Sequence, residues 1–239
     1  MTRRAHFDSV RTVSKQRSTT RRTLFLFIFI PFRFFFHPAS FCRLYVVHYT
    51  GPFGYIKPWS AVRDIETYSQ QFLTPSTVEG MEKKLFPEML TKKGIHKIAR
   101  HKLSCMGMSV QQEKTQTQAW KGKGKGKGRT YTRPQSILKR GVMLHPSLYL
   151  AFTSEEDAVI AARQHLCLCR NEDVVLPDTE VLKMDEETFN ALPGFELRFG
   201  KDYPDAFMVG FNRFDGNTLM YGRIEIGGEA VLAPQKSNE

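Results

Sequence analysis

The stretch KGKGKGKGR, Lys121–Arg129, constrains the architecture of this chain more than any other feature. Alternating Gly and Lys can bury no apolar surface, so the tract has to lie at a surface. The segments on either side read as strands. MSVQQEKTQTQAW carries polar residues at strand spacing, and RPQSILKRGVMLHPSLYLAF answers with two apolar runs. The simplest arrangement is a long β-hairpin, a basic finger over about residues 110–140, whose tip need not order until it meets phosphates. The bland alternative is an idle, solvated loop.

Charge follows the same division. Residues 92–140 hold 14 Lys and Arg against one acid, Glu113, whereas residues 141–239 hold 8 against 17. The net +11 therefore conceals a basic middle beside an acidic C-terminal part. A strip of this kind suits a polyanion, because each neutralised phosphate releases condensed counterions. The candidate RNA-contacting cations are Lys97, Arg100, Lys102, Lys121, Lys123, Lys125, Lys127, Arg129, Arg133, Lys139 and Arg140. Trp59, Trp120, Tyr131 and Tyr149 are available to stack on bases.

Residues 1–44 do not pattern with the rest. RRTLFLFIFIPFRFFFHPASF follows an Arg- and Ser-rich start, in the outline of a secretory signal. Pro31 and Arg33 interrupt its apolar run, which is too short to span a bilayer. A signal or anchor, a start called too early and a structural segment all remain open. The expected division is an extension at 1–44, a folded domain at 45–233 and a tail at 234–239, with no membrane segment in 45–239.

The four cysteines form no framework. Cys42 and Cys105 stand alone, and Cys167 with Cys169 make C-x-C instead of paired C-x-x-C. Residues two apart on a strand share a face, so both thiols read as small core hydrophobes in a reduced, cytoplasmic protein. No metal and no cofactor is expected.

The remaining elements follow from local signals. RLYVVHYTGPF predicts a strand ended by Gly51-Pro52. Thr74 caps a helix with Pro75 at its first position, Val78, Met81 and Leu85 on one face, and Glu79–Lys83 as an i,i+4 pair. GIHKIARHKL predicts a strand with one basic face. TSEEDAVIAARQHL predicts the clearest helix, Glu155 to His165, followed by LCLCRNEDVVLP as a strand broken by a charged corner. Asp185 caps a short helix, and FELRFG, AFMVGFNRF and MYGRIEIGG read as three strands. Strand–helix–strand–strand–helix–strand order makes the domain α+β, ferredoxin-like or RRM-like, with a basic β-hairpin insertion.

Three stretches share a resemblance. HYTGPFGYIKP is similar to the first strand and loop of CRISPR-associated subunits of the RAMP superfamily, and FLTPSTVEGM resembles the opening of their first helix. LCRNEDVVLPD resembles the charged corner of the Cascade subunits that cap the 5′ end of the guide RNA. The resemblance implies guide-RNA binding in a multi-subunit antiviral complex, with Thr74, Pro75, Ser76 and Gly80 shaping the helix start. It also implies Arg170, beside Glu172 and Asp173, as a phosphate contact. Cys169 stands where the family has glycine, and neither the Lys–Gly tract nor the extension is a family feature.

One branch of that family cleaves RNA without metal, which needs a general base and a cation for the developing charge. His101 and Lys102, with His96 nearby and Tyr68 brought in by folding, supply those residue types. Asp64 with Glu66, and Glu172 with Asp173, lack a third ligand at metal spacing. His145, before Pro146, reads as structural. Three classes stay open: a guide-RNA-capping subunit, a metal-independent endoribonuclease, and a membrane-anchored or secreted protein with a basic loop.

Overall fold

The computed structural model describes residues 43–59, 65–116 and 119–230. The predicted extension up to residue 42 (Cys42 included), Asp64 and the predicted tail from residue 234 lie outside them.

The first strands are β1 (Leu44–Thr50), β2 (Phe53–Gly54) and β3 (Glu66–Tyr68). β1 is β-branched and aromatic and ends at Gly51, where the carbonyl of Val174 approaches so closely that a Cβ would meet it at 2.5 Å. Helix α1 (Pro75–Leu85) starts where the sequence predicts, with the Thr74 side chain accepting from the Thr77 N–H. Val78, Met81 and Leu85 are buried. The Glu79–Lys83 pair forms at 2.6 Å, but in the interior.

Next come β4 (Ile98–Ser104), β5 (Gly107–Gln116), β6 (Lys121–Lys123), β7 (Thr130–Thr132), β8 (Gln135–Leu144) and β9 (Ser147–Phe152). Helix α2 (Glu155–Ala161), capped by Ser154, leads to β10 (Leu166–Cys167), β11 (Val174–Pro177) and β12 (Leu182–Met184). Helix α3 (Glu186–Ala191) is capped by Asp185, and β13 (Gly194–Phe199), β14 (Phe207–Asn212) and β15 (Thr218–Gly227) close the described chain.

Among the described residues, nine strands form the larger sheet, in the order β10-β11-β1-β9-β4-β13-β15-β14, with β12 also on β1. Neighbours pair antiparallel throughout. Helices α1 and α2 cover one face, where Val78, Met81, Ala158 and Ala161 meet Val47, Tyr49, Leu103, Leu148 and Phe152. Helix α3 covers part of the other, with Phe189 against Leu44, Val46 and Ala151.

That second layer overturns the expected basic face of β4. Both faces of the strand are covered, and from Arg100 to Ser104 every residue is buried. The segment leading into it is held by α1. The Glu82 carboxylate, inaccessible to solvent, accepts from the backbone N–H groups of His96, Lys97 and Ile98 at 2.7–3.1 Å. Glu79 accepts from Gly94 N–H in the same way.

Two further expectations change. Helix α2 stops at Ala161 instead of reaching His165: the Arg163 and Gln164 N–H groups bond only three residues back, to Ile160 and Ala161, and the Tyr49 hydroxyl also donates to the Ala161 carbonyl, at 2.8 Å. The Cys167–Cys169 pair does not fill the core. Leu166 and Leu168 take the inward positions, leaving Cys167 half-buried and Cys169 exposed, as a period of two requires.

The finger is a second sheet. β5 and β8 pair from Gly107↔Leu144 to Gln116↔Gln135, and β2 and β3 flank the base of β8. Its tip is paired too. Lys121 lies opposite Thr132, Gly122 opposite Tyr131 and Lys123 opposite Thr130. Gly124, at φ +101°, and Gly126, at φ +66°, make the turn.

Candidate nucleic-acid interface

The paired tip displays its cations outward. Lys121, Lys123, Lys125, Lys127, Arg129 and Arg133 are all exposed, and among the described residues no carboxylate lies within ion-pair distance of any of them. Alternation puts Lys121 and Lys123 on one side of their strand. Gly122 leaves room on the other, where the Arg129 guanidinium lies so close that a Cβ would strike it. Two aromatics stand among these charges. Arg133 sits 4.7 Å over the Trp120 ring and Arg129 5.3 Å over Tyr131, with both rings 59% exposed.

A second group gathers at the finger base. Arg140 donates to the Thr67 hydroxyl and lies 3.7 Å from Glu113. Arg170 grips the buried Asp173 with two bonds of 2.7 and 2.8 Å, which raises its pKa further, and meets Glu172 at 3.4 Å. Both guanidinium groups lie over the Tyr55 ring, at 5.9 and 5.4 Å. Lys139, half exposed, lies 3.6 Å from Glu66. The corner that the resemblance assigns to phosphate contact is thus an internal ion-pair network with one partly exposed edge.

The β4 cations are not brought to this surface. Arg100 donates to both carboxylate oxygens of Glu196, at 2.7 and 2.6 Å, and to Asn190 Oδ1 at 2.7 Å. Lys102 Nζ donates to the Asn190 and Leu192 carbonyls at the C-terminal end of α3, and burial lowers its pKa. Lys97 pairs with Asp157 at 2.5 Å and Glu88 at 3.3 Å. His101, stacked on Phe199, is 3% exposed. Burial pushes its pKa down to about 4, against the raising pull of the Glu196 carboxylate. Tyr68 sits at the exposed finger base with its hydroxyl 3.4 Å from Glu66, and the fold does not unite it with His101 and Lys102. His96 is exposed, its Nε2 on the Lys93 carbonyl.

Sequence reasoning missed the glutamates of α1 as backbone acceptors and a polar chain through His48, Ser147 and Asp178 on the larger sheet. Neither carries a local signal, since the partners lie far apart in sequence. Among the described residues no three His, Cys, Asp or Glu gather as a metal site, and no helix is long and apolar enough to cross a membrane.

No protein-family description matches the sequence, and no curated protein matches it. Among solved structures, a chain described as "CRISPR RNA-guided surveillance complex" is similar at 15% identity, covering 81% of this chain and 95% of that one, with a TM-score of 0.44.

Proposed function

We propose that the chain is an RNA-binding subunit of a Cascade-type CRISPR effector, holding the 5′ handle of the guide RNA in the cytoplasm. The observation that carries this reading is the finger tip. Six exposed cations without acidic partners among the described residues surround two exposed aromatic rings, the combination a single-stranded backbone and its bases require. The order β1-α1-β4-β9-α2-β11, with strands lying side by side as β11-β1-β9-β4, supports a ferredoxin-like core of the RAMP type. The T-P-S helix start and the R-N-E-D corner support the family.

On this reading the protein binds RNA and leaves it whole. The residues considered for cleavage argue the same way, because a buried His101 cannot reach a 2′-hydroxyl. Partner subunits have a surface in α2, where Glu156 points outward while Glu155 and Asp157 are paired with Lys183 and Lys97. Fluorescence anisotropy with a labelled repeat-derived RNA, followed by a denaturing gel, tests the proposal. Saturable binding with intact RNA is expected. Absence of binding, or cleavage in EDTA, contradicts it.

A further inference from the structure

On the sheet face that α3 leaves partly open, three side chains from distant segments form one hydrogen-bonded chain. His48 on β1 donates from Nδ1 to Asp178 Oδ2 at 2.7 Å, since a carboxylate only accepts. In the neutral ring that proton placement makes Nε2 an acceptor for the Ser147 hydroxyl on β9, also at 2.7 Å. Ring and backbone of His48 are both held. Tyr149 stacks on it at 4.4 Å and 14°, and the Asp178 backbone N–H donates to the His48 carbonyl at 2.8 Å. His48 is 20% exposed at its side chain and Ser147 is partly exposed, so the chain is reachable from solvent.

The surroundings fit a reacting group. Ser147 pairs across the sheet with Thr50, and Thr50 forms part of the wall of a cleft of about 690 Å³. Met106, Val174 and Leu176 give that cleft an apolar lining. On the other side of Ser147, its register partner Ser104 is buried and its hydroxyl has no hydrogen-bond partner. His145, at the corner preceding Ser147, is held at φ +46°.

We propose that Ser147, His48 and Asp178 form a serine-nucleophile site for esters of a small apolar acyl group, separate from the finger. Ser147 Oγ attacks the ester carbonyl carbon as its proton passes to His48 Nε2. The tetrahedral adduct collapses, the C–O bond to the alcohol breaks, and the alkoxide leaves with the proton from Nε2. Water then attacks the acyl-Ser147 ester, gives its proton to Nε2, and releases the carboxylic acid with Ser147 reprotonated. Asp178 is a positioning residue, holding the Nδ1 tautomer and stabilising the imidazolium. The cleft beside Thr50 receives the acyl chain.

The test uses the full chain with an alkyl fluorophosphonate probe and with p-nitrophenyl butyrate, read by mass spectrometry of peptides and by nitrophenolate release. A covalent adduct on Ser147 is expected, absent in Ser147→Ala. A general base contributes about 10²–10⁴-fold, so His48→Gln slows labelling within that range. Asp178→Asn retains the adduct but slows its formation and displaces the pH profile of labelling, a change that a purely structural role would not give. Replacing the four tip lysines leaves labelling intact, which separates this site from RNA binding. No adduct on Ser147 of the folded wild-type chain, or labelling unaffected by His48→Gln, overturns the proposal.

Discussion

Arg100 and Glu196 face each other inside the protein, two guanidinium nitrogens on two carboxylate oxygens at 2.7 and 2.6 Å, with both side chains 5% exposed or less. Cutting one member of such a pair strands a buried charge. Arg100→Ala is therefore expected to destabilise the fold by about 3–5 kcal/mol. The fraction that remains folded should bind RNA with unchanged affinity, since this cation is not displayed. Urea unfolding with anisotropy on the same samples checks both halves, and a weakened affinity at unchanged stability would return β4 to the interface.

The Glu82 carboxylate organises the start of β4 through three backbone amides. Glu82→Ala leaves those amides without their acceptor, at about 1–3 kcal/mol for each one that stays unpaired. Loss of hydrogen-exchange protection should be concentrated at His96, Lys97 and Ile98. Uniform loss across the sheet would show that the glutamate acts globally instead.

These two pairings show where sequence reasoning stopped. Thr74, Pro75 and the apolar positions of α1 were legible because a cap and a helical period are local. Whether the cations of β4 face water was not, because α3 and β13, which cover them, lie about ninety residues further along. The contact that Tyr49 makes at the end of α2 was illegible for the same reason, since it reaches Ala161 across 112 positions. The finger was legible as a hairpin from composition, but the pairing at its tip was not, because Gly and Lys carry little strand propensity.

Buried His101 ties stability to pH. Its folded pKa, about 4, lies below its ordinary 6.5. Between those values the unfolded chain takes a proton that the folded chain refuses, so stability falls as pH drops from about 6.5 to 4 and this contribution levels off below. Relative to His101→Gln, the wild type should lose about 3 kcal/mol over that window. Melting curves of both at closely spaced pH values measure the difference. Parallel curves would mean that His101 takes its proton as readily in the folded chain as in the unfolded one.

On the proposed function the displayed tip, and not the buried strand, meets RNA. Replacing Lys121, Lys123, Lys125 and Lys127 by Ser removes four cations that are exposed in the fold. The melting temperature should stay within a few degrees of wild type, because each surface substitution of this kind falls within about 0.5 kcal/mol. The decisive measurement is the dependence of log affinity for single-stranded handle RNA on log salt, for the wild type and this variant. The slope should flatten by about 0.7 for each phosphate that the variant no longer neutralises, with weaker binding at every salt concentration. An unchanged slope at unchanged affinity would show that the tip touches no RNA.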